Sequence, residues 1–247
     1  MVGGGTRIQL CGRLVVRIAG SRVETALPGR QGRLAFAFLT LARHRVVTRS
    51  MLADALWPDE KPGLLDTALN AMLSKLRKAI HPATLEGRSE LRLQLPDAWV
   101  DVEAALEAIH RAEAAVARGA WQDAWGPSRV ALHIARRGFS PCEAAPWVEE
   151  QRLTLAEIEH RALECIAESS LSLGRAEHDS ALRSGRDLIR LAPFRESGYR
   201  LMMRALAAEG NVAEALRVYE GLRVRLREEL GAPPSTETLL LHRSLLG

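Results

Sequence analysis

From residue 101 to residue 247 the chain has one texture. Alanine, leucine, arginine and glutamate recur at three- and four-residue spacing, and no convincing alternation points to a strand. That confines this half of the chain to packed helices. Leu173-Gly174 and Glu209-Gly210 are followed by similar patterns, Ala181 aligns with Ala215 at a 34-residue offset, and Pro193 and Pro233 each fall after the succeeding helix. A third, more diverged unit runs from Gly119 through Trp121 and Trp125 to Pro141. One helical repeat cannot bury its apolar face alone, so at least three must stack, which explains why the whole stretch is helical.

The first hundred residues read differently. Segments 8–14, 14–19 and 23–27 alternate apolar and polar residues and are broken by Gly12, Gly20 and Pro28, which predicts two or three short strands. Residues 30–43 are strongly apolar through Leu34, Phe36, Phe38, Leu39 and Leu41, the pattern of a buried helix. Thr48 is placed to cap a helix over 50–57, which Pro58 stops. A Pro/Gly-bearing loop, 59–63, leads into an amphipathic helix over 65–80, and 85–95 alternates Leu91, Leu93 and Leu95 behind Gly87 as a hairpin does. Strands, three helices and a terminal hairpin are the order of a winged helix-turn-helix. The expected architecture is therefore mostly α: a winged helix over 1–98 and an all-α, tetratricopeptide-like repeat domain over 99–247.

Charge divides at the same place. Residues 1–100 hold 15 basic against 8 acidic side chains, a net of +7, and residues 101–247 hold 19 against 22, a net of −3. A positive field confined to one domain fits a nucleic-acid binder, because neutralising phosphates releases counterions and supplies affinity. All three lysines, Lys61, Lys75 and Lys78, lie in the loop and helix over 59–80. There Leu65, Leu69, Met72, Leu73, Leu76 and Ile80 share one helix face, while Thr67, Asn70, Ala71, Ser74, Lys75 and Lys78 form the other, with Arg77 at its flank. Small side chains let a helix seat deeply in a groove, and long cations reach phosphates.

Other chemistries find no support. No phosphate-binding loop, GxSxG, HExxH or GxGxxG occurs, and the seven histidines are scattered without ligand spacing, so neither an enzyme nor a metal or cofactor site is expected. Three distant cysteines, Cys11, Cys142 and Cys165, suggest neither a disulfide framework nor zinc and read as small buried hydrophobes. No apolar run reaches the roughly 18 residues of a membrane span, and the N-terminus lacks a cleavable apolar leader, so a cytoplasmic protein is expected. Trp121, Trp125, Trp147 and Tyr199 are expected as packing anchors between repeats. Arg186, Arg190, Arg195, Arg200 and Arg204 are expected to pair with glutamates, the other reading being capture of an acidic ligand.

Four stretches together resemble one family: VVTRSMLADALWPDEKP, the helix ending MLSKLRKAI, LAPFRESGYRLMMRALAAEGNVAEALRVYEGLRVRLREELGAPPS, and the closing LLLHRSLL. They are similar to regulators of the SARP (antibiotic regulatory protein) type, which join an OmpR-like winged helix to a bacterial transcriptional activation domain. The third stretch is the most specific, through Pro193, Glu196, Leu201, Met202, Ala205, Leu206, Ala215, Leu216, Tyr219, Glu229, Leu230, Gly231 and Pro234. The resemblance implies a transcription activator that binds double-stranded promoter DNA at direct repeats, with a homodimer on DNA as one arrangement, and a secondary-metabolite cluster as its target. Its surfaces on RNA polymerase would be σ region 4 and the α C-terminal domain. Thr67, Asn70, Ser74 and Lys75 become groove candidates, and Arg77, Lys78, Arg49, Arg88 and Arg92 backbone candidates. Asp59, Glu60 and Lys61 become the polymerase-contact loop. The wing departs from the family's Gly-Tyr pattern, reading Gly87-Arg88-Ser89-Glu90-Leu91. Two rival readings are a repeat adaptor whose winged helix has lost DNA contact and an effector-gated repressor.

Overall fold

Ile18 and Ser21 pair across a two-residue turn in which Ala19 and Gly20 both have positive φ, 47° and 84°, the backbone that a tight hairpin requires. This turn joins β2 (Val15–Ile18) to β3 (Ser21–Arg22), and β1 (Arg7–Gln9) pairs antiparallel with β2, Ile8 opposite Val16 with both buried. The computed structural model describes residues 5–58, 66–139 and 145–247. These residues form two units, 1–104 with 134–156, and 105–133 with 157–247.

In the first unit the sheet is followed by α1 (Gly29–Leu41), whose Leu34, Ala35, Phe36, Ala37 and Leu39 are all buried, as its nearly continuous apolar sequence requires. Then come β4 (Val47–Thr48), α2 (Arg49–Leu56), α3 (Asp66–Ala79), β5 (Thr84–Glu86), β6 (Glu90–Gln94) and β7 (Trp99–Val100). Thr48 caps α2 by accepting the Met51 N–H at 3.2 Å. β6 is the middle strand of a second sheet, β4-β6-β5, and Leu91 and Leu93 alternate inward along it. The first two strands, the cap and the hairpin are legible in the sequence, but the strand expected over 23–27 is displaced: β3 is Ser21–Arg22, and residues 24–26 form a turn in which the Ala26 N–H donates to Val23 O at 3.0 Å. The strand β7 is not legible there: two residues long, it runs parallel to β1, and only that pairing defines it.

Directly after β7, Asp101 opens α4 (Asp101–Ala117) fully buried. Its carboxylate accepts the backbone N–H groups of Leu10 at 2.8 Å, Cys11 at 3.0 Å and Val102 at 3.0 Å, and Arg137 Nη2 at 3.1 Å. Burial pushes this carboxyl's pKa up, and the N–H bonds and Arg137 pull it back. Residues 134–156 complete the unit. Gly12 N–H donates to Gly138 O at 2.8 Å, and the Trp147 indole donates to Ala55 O at 3.0 Å while meeting Phe38 and Phe139 edge-on. Trp147 is therefore an anchor on the winged helix, where the sequence suggests an anchor between repeats.

Among its described residues the second unit is built of helices joined by short turns, with no strand. α5 (Trp121–Ala135) and α6 (Pro146–Leu173), each with its end or beginning in the first unit, precede α7 (His178–Leu191), α8 (Glu196–Ala208), α9 (Val212–Leu230) and α10 (Thr236–Leu246). The residues aligned at the 34-residue offset, Ala181 on α7 and Ala215 on α9, are both fully buried in one core with Leu182, Met203, Leu206 and Tyr219. Glu196 accepts the Ser235 N–H at 2.9 Å and its hydroxyl at 2.8 Å, fixing the start of α10, and Ser235 in turn caps that helix. Trp125 is not a core anchor: it is more than a third exposed, with the Arg129 guanidinium 4.6 Å from its ring centroid. Arg195, Arg200 and Arg204 pair with Glu157, Glu237 and Glu168. The fold class is the expected one, a winged helix-turn-helix joined to tetratricopeptide-like helices.

Candidate DNA-binding face

Helix α3 is anchored by one stripe and open on the other. Leu69, Met72, Leu73 and Leu76 are buried, as is Ile80 just beyond its end, so the spacing that predicts the helix also fixes its rotation. Thr67, Asn70, Ala71, Ser74, Lys75 and Lys78 all lie on the remaining face, open to solvent to differing degrees. Lys75 and Lys78 have no ion-pair partner among the described residues. A helix face carrying an amide, two hydroxyls, a methyl and two free ammonium groups can hydrogen-bond base edges and neutralise phosphates at the same time.

The hairpin of β5 and β6 stands beside this helix and is tied to it. Arg77 Nε donates to Leu85 O at 2.9 Å and Nη2 to Gly87 O at 2.7 Å, so the guanidinium spans from α3 to the hairpin turn. Gly87 has φ +86°, and a Cβ there would lie 1.7 Å from Glu90 O; the turn closes only with glycine. Arg49 ties in the third element: its N–H donates to Ser89 O at 3.1 Å, and its guanidinium reaches Asp66 at 3.4 Å. Arg77 and Arg49 thus share the work of positioning α3 and the wing. Nothing in their spacing shows this, because the acceptors are main-chain carbonyls 8 to 40 positions away.

At the wing tip Arg88 and Arg92 are exposed and unpaired among the described residues. Glu86 and Glu90 are exposed there too, with Glu86 opposite Arg92 in the strand register. The tip is accordingly charge-balanced, whereas the open face of α3 is cationic. Asp59, Glu60 and Lys61, the expected polymerase-contact loop, lie outside the described residues. No helix among the described residues is long and apolar enough to cross a membrane.

Fold and face together define a winged-helix regulator with a helical-repeat domain. The family model of the bacterial transcriptional activator domain matches residues 100–246, and the chain belongs to that family, its winged helix marking the SARP type. The regulatory protein AfsR of Streptomyces coelicolor is 30% identical over 233 residues, 94% of this chain; the chain spans only 23% of that protein's length. The regulatory protein DnrI of Streptomyces peucetius is 27% identical, with 97% of this chain and 92% of DnrI covered. Transcriptional regulatory protein MoaR1 of Mycobacterium tuberculosis is 24% identical across 98% of this chain and 80% of its own. These relatives are regulatory proteins, and the chain is a transcriptional regulator of their kind. Among solved structures, Mycobacterium tuberculosis EmbR in complex with a low affinity phosphopeptide superposes with a TM-score of 0.81 at 20% identity, over 98% of this chain and 65% of that one, a likeness of fold.

Proposed function

We propose that the chain is a sequence-specific, DNA-binding transcription activator. In this reading residues 1–98 are the DNA-binding domain and residues 99–247 the activation domain. Helix α3 enters the major groove of promoter repeats. Activation comes from bringing in RNA polymerase, through σ region 4 and the α C-terminal domain, and involves no catalysis. The observation that supports this is the face of α3, where six small, polar or cationic residues lie opposite a fully buried stripe. Asn70, Ser74 and Thr67 have the donors and acceptors to read bases, and Lys75 and Lys78 the reach to phosphates. Arg88 and Arg92 contact the flanking backbone from the wing, and Arg49 and Arg77 hold helix and wing in register while offering their remaining N–H groups. Asp59, Glu60 and Lys61 contact polymerase. The protein acts in the cytoplasm, as a homodimer on paired half-sites, and regulates secondary metabolism as an activator of a biosynthetic cluster.

The test is an anisotropy titration with duplex DNA from upstream of the gene and of its neighbours. Saturable binding that discriminates against unrelated duplex and weakens steeply with salt is expected. Absence of binding at low salt would sink the reading and leave the helical repeats as a protein-binding adaptor. Run-off transcription with purified polymerase then separates an activator, which raises product, from an effector-gated repressor, which lowers it.

A further inference from the structure

Two cavities of the helical unit differ in how their arginines are held. In one, of about 520 Å³, Arg161 closes on Glu113, Arg200 on Glu237 and Arg204 on Glu168, so each guanidinium is already satisfied by a carboxylate. The other, of about 630 Å³, lies among α7, α8 and α9 and is walled by Arg186 and Arg190 on α7 and Arg217 and Arg225 on α9, with no acidic residue in its lining. Arg190 and Arg225 touch Asp187 and Glu229 outside it, both at 3.5 Å. Arg186 and Arg217 have no ion-pair partner among the described residues.

Three further features make this a formed groove. Its floor is apolar, built by Ile189, Met202 and Val218. Arg225 Nη1 donates to Tyr199 Oη at 2.7 Å, and that hydroxyl donates to Pro193 O at 3.0 Å, so a buried tyrosine holds one arginine in place. Gly221 lies midway between Arg217 and Arg225, one turn from each, in the interior of α9. Glycine weakens a helix interior, and a Cβ there would meet nothing within 4 Å, so packing does not require it. Its absent side chain leaves the wall low between the two cations, which stand about 12 Å apart along the helix.

We infer that this groove binds a small organic anion, an apolar or planar body bearing at least two acidic groups of the phosphate or carboxylate type. The volume is that of a small-molecule site, and the fork of an arginine matches such groups with paired hydrogen bonds. The body rests on Met202 and Val218 across the gap at Gly221, and the acidic groups meet the arginines of the two walls. The helical unit is then the receiver of a chemical signal. This inference rests on the second unit alone and stands independently of the DNA-binding reading.

The probe is an N-methylanthraniloyl nucleoside triphosphate, an aromatic body with a polyanionic end, titrated by fluorescence anisotropy into the full chain. Saturable binding is expected, displaced by inorganic triphosphate. Affinity falls at least tenfold in the double variant Arg186→Gln/Arg217→Gln, whose side chains make no ion pair among the described residues, and binding disappears in Gly221→Leu. Arg204→Gln in the other cavity and Lys75→Ala/Lys78→Ala on α3 leave it unchanged. Circular dichroism confirms that each variant is folded. The inference is overturned by an absence of saturable binding, by undiminished binding in folded Gly221→Leu, by binding that follows Lys75 and Lys78, or by equal affinity for the same nucleoside without phosphates. Binding of a fluorescein-labelled glutamate-rich peptide in place of the nucleotide would overturn it as well, in favour of a peptide groove.

Discussion

On the open face of α3, Lys75 and Lys78 stand without an acidic partner among the described residues, whereas in the helical unit Arg161, Arg195 and Arg204 each close on a glutamate. The winged unit also contains arginines that are spoken for, Arg77 on the hairpin carbonyls and Arg137 on Asp101. Net charge alone does not separate these cases. A cation whose hydrogen bonds are satisfied inside the molecule shapes it, and a cation left in water is available to a partner. The +7 of the first hundred residues matters because part of it remains uncommitted on one helix face.

The largest effect comes from breaking a charge committed to structure. Asp101→Ala removes the acceptor of three backbone N–H groups and of Arg137 from a fully buried site. Leaving those donors unpaired is expected to cost about 3 kcal/mol of stability. Urea unfolding of the variant beside the native chain measures it, and a midpoint shift equivalent to less than about 1 kcal/mol would mean that water replaces the carboxylate.

The converse holds for Lys75→Ala/Lys78→Ala. Stability should change by no more than about 0.5 kcal/mol, since both side chains lie on the open face and are unpaired among the described residues. Affinity for the cognate duplex should fall roughly ten- to a hundredfold near 0.1 M salt, and the slope of log K against log salt should lessen by about 2, close to one for each phosphate no longer neutralised. Removing Arg88 and Arg92 should do less, because Glu86 and Glu90 balance them at the wing tip. A wing variant that binds more weakly than the lysine variant would move the docking face from the helix to the hairpin.

The parts of this molecule legible in the sequence are those that periodicity encodes. The stripe from Leu69 to Leu76 fixes the rotation of α3, Thr48 announces its cap, and Ala181 with Ala215 marks the repeat core. The hidden parts are contacts between distant positions with no local pattern. Asp101 resembles any acidic residue opening a helix, yet it is tied to Leu10, 91 residues earlier. Trp147 looks like one more aromatic in a helical half, yet its indole bonds to Ala55. The same blindness affects the candidate face: the placing of Asn70, Ser74 and Lys75 on the open side follows from spacing, but the structural use of Arg77 and Arg49 does not.

Arg77→Met tests that second use at an intermediate scale. The methionine keeps the apolar stem and removes the donors to Leu85 O and Gly87 O. A loss of about 1–2 kcal/mol is expected, concentrated at the hairpin. Hydrogen exchange should show faster amides in β5 and β6 with those of α1 unchanged. Uniform acceleration across the unit would indicate global destabilisation, and no acceleration would return Arg77 to the set of uncommitted cations.

The smallest effect belongs to the paired arginines themselves. The hydrogen bond from Arg195 holds the Glu157 carboxyl below its ordinary value of 4.5, with burial opposing it. A carboxyl whose folded pKa is depressed contributes stability that is present above its unfolded value and is lost as pH falls through the folded one. The pair should therefore stabilise the helical unit near neutrality and stop doing so in acid, below about pH 4.5. Both side chains are nearly half exposed, so solvent screening limits the gain to no more than about 1 kcal/mol. Thermal melts of Glu157→Gln and the native chain, compared between about pH 3 and pH 6, should converge at the acid end and separate slightly at the other. Curves that stay parallel would show the pair to be energetically idle. In that case satisfied cations of the helical unit and free cations of α3 would differ in geometry alone, and salt dependence of DNA binding would be left to distinguish them.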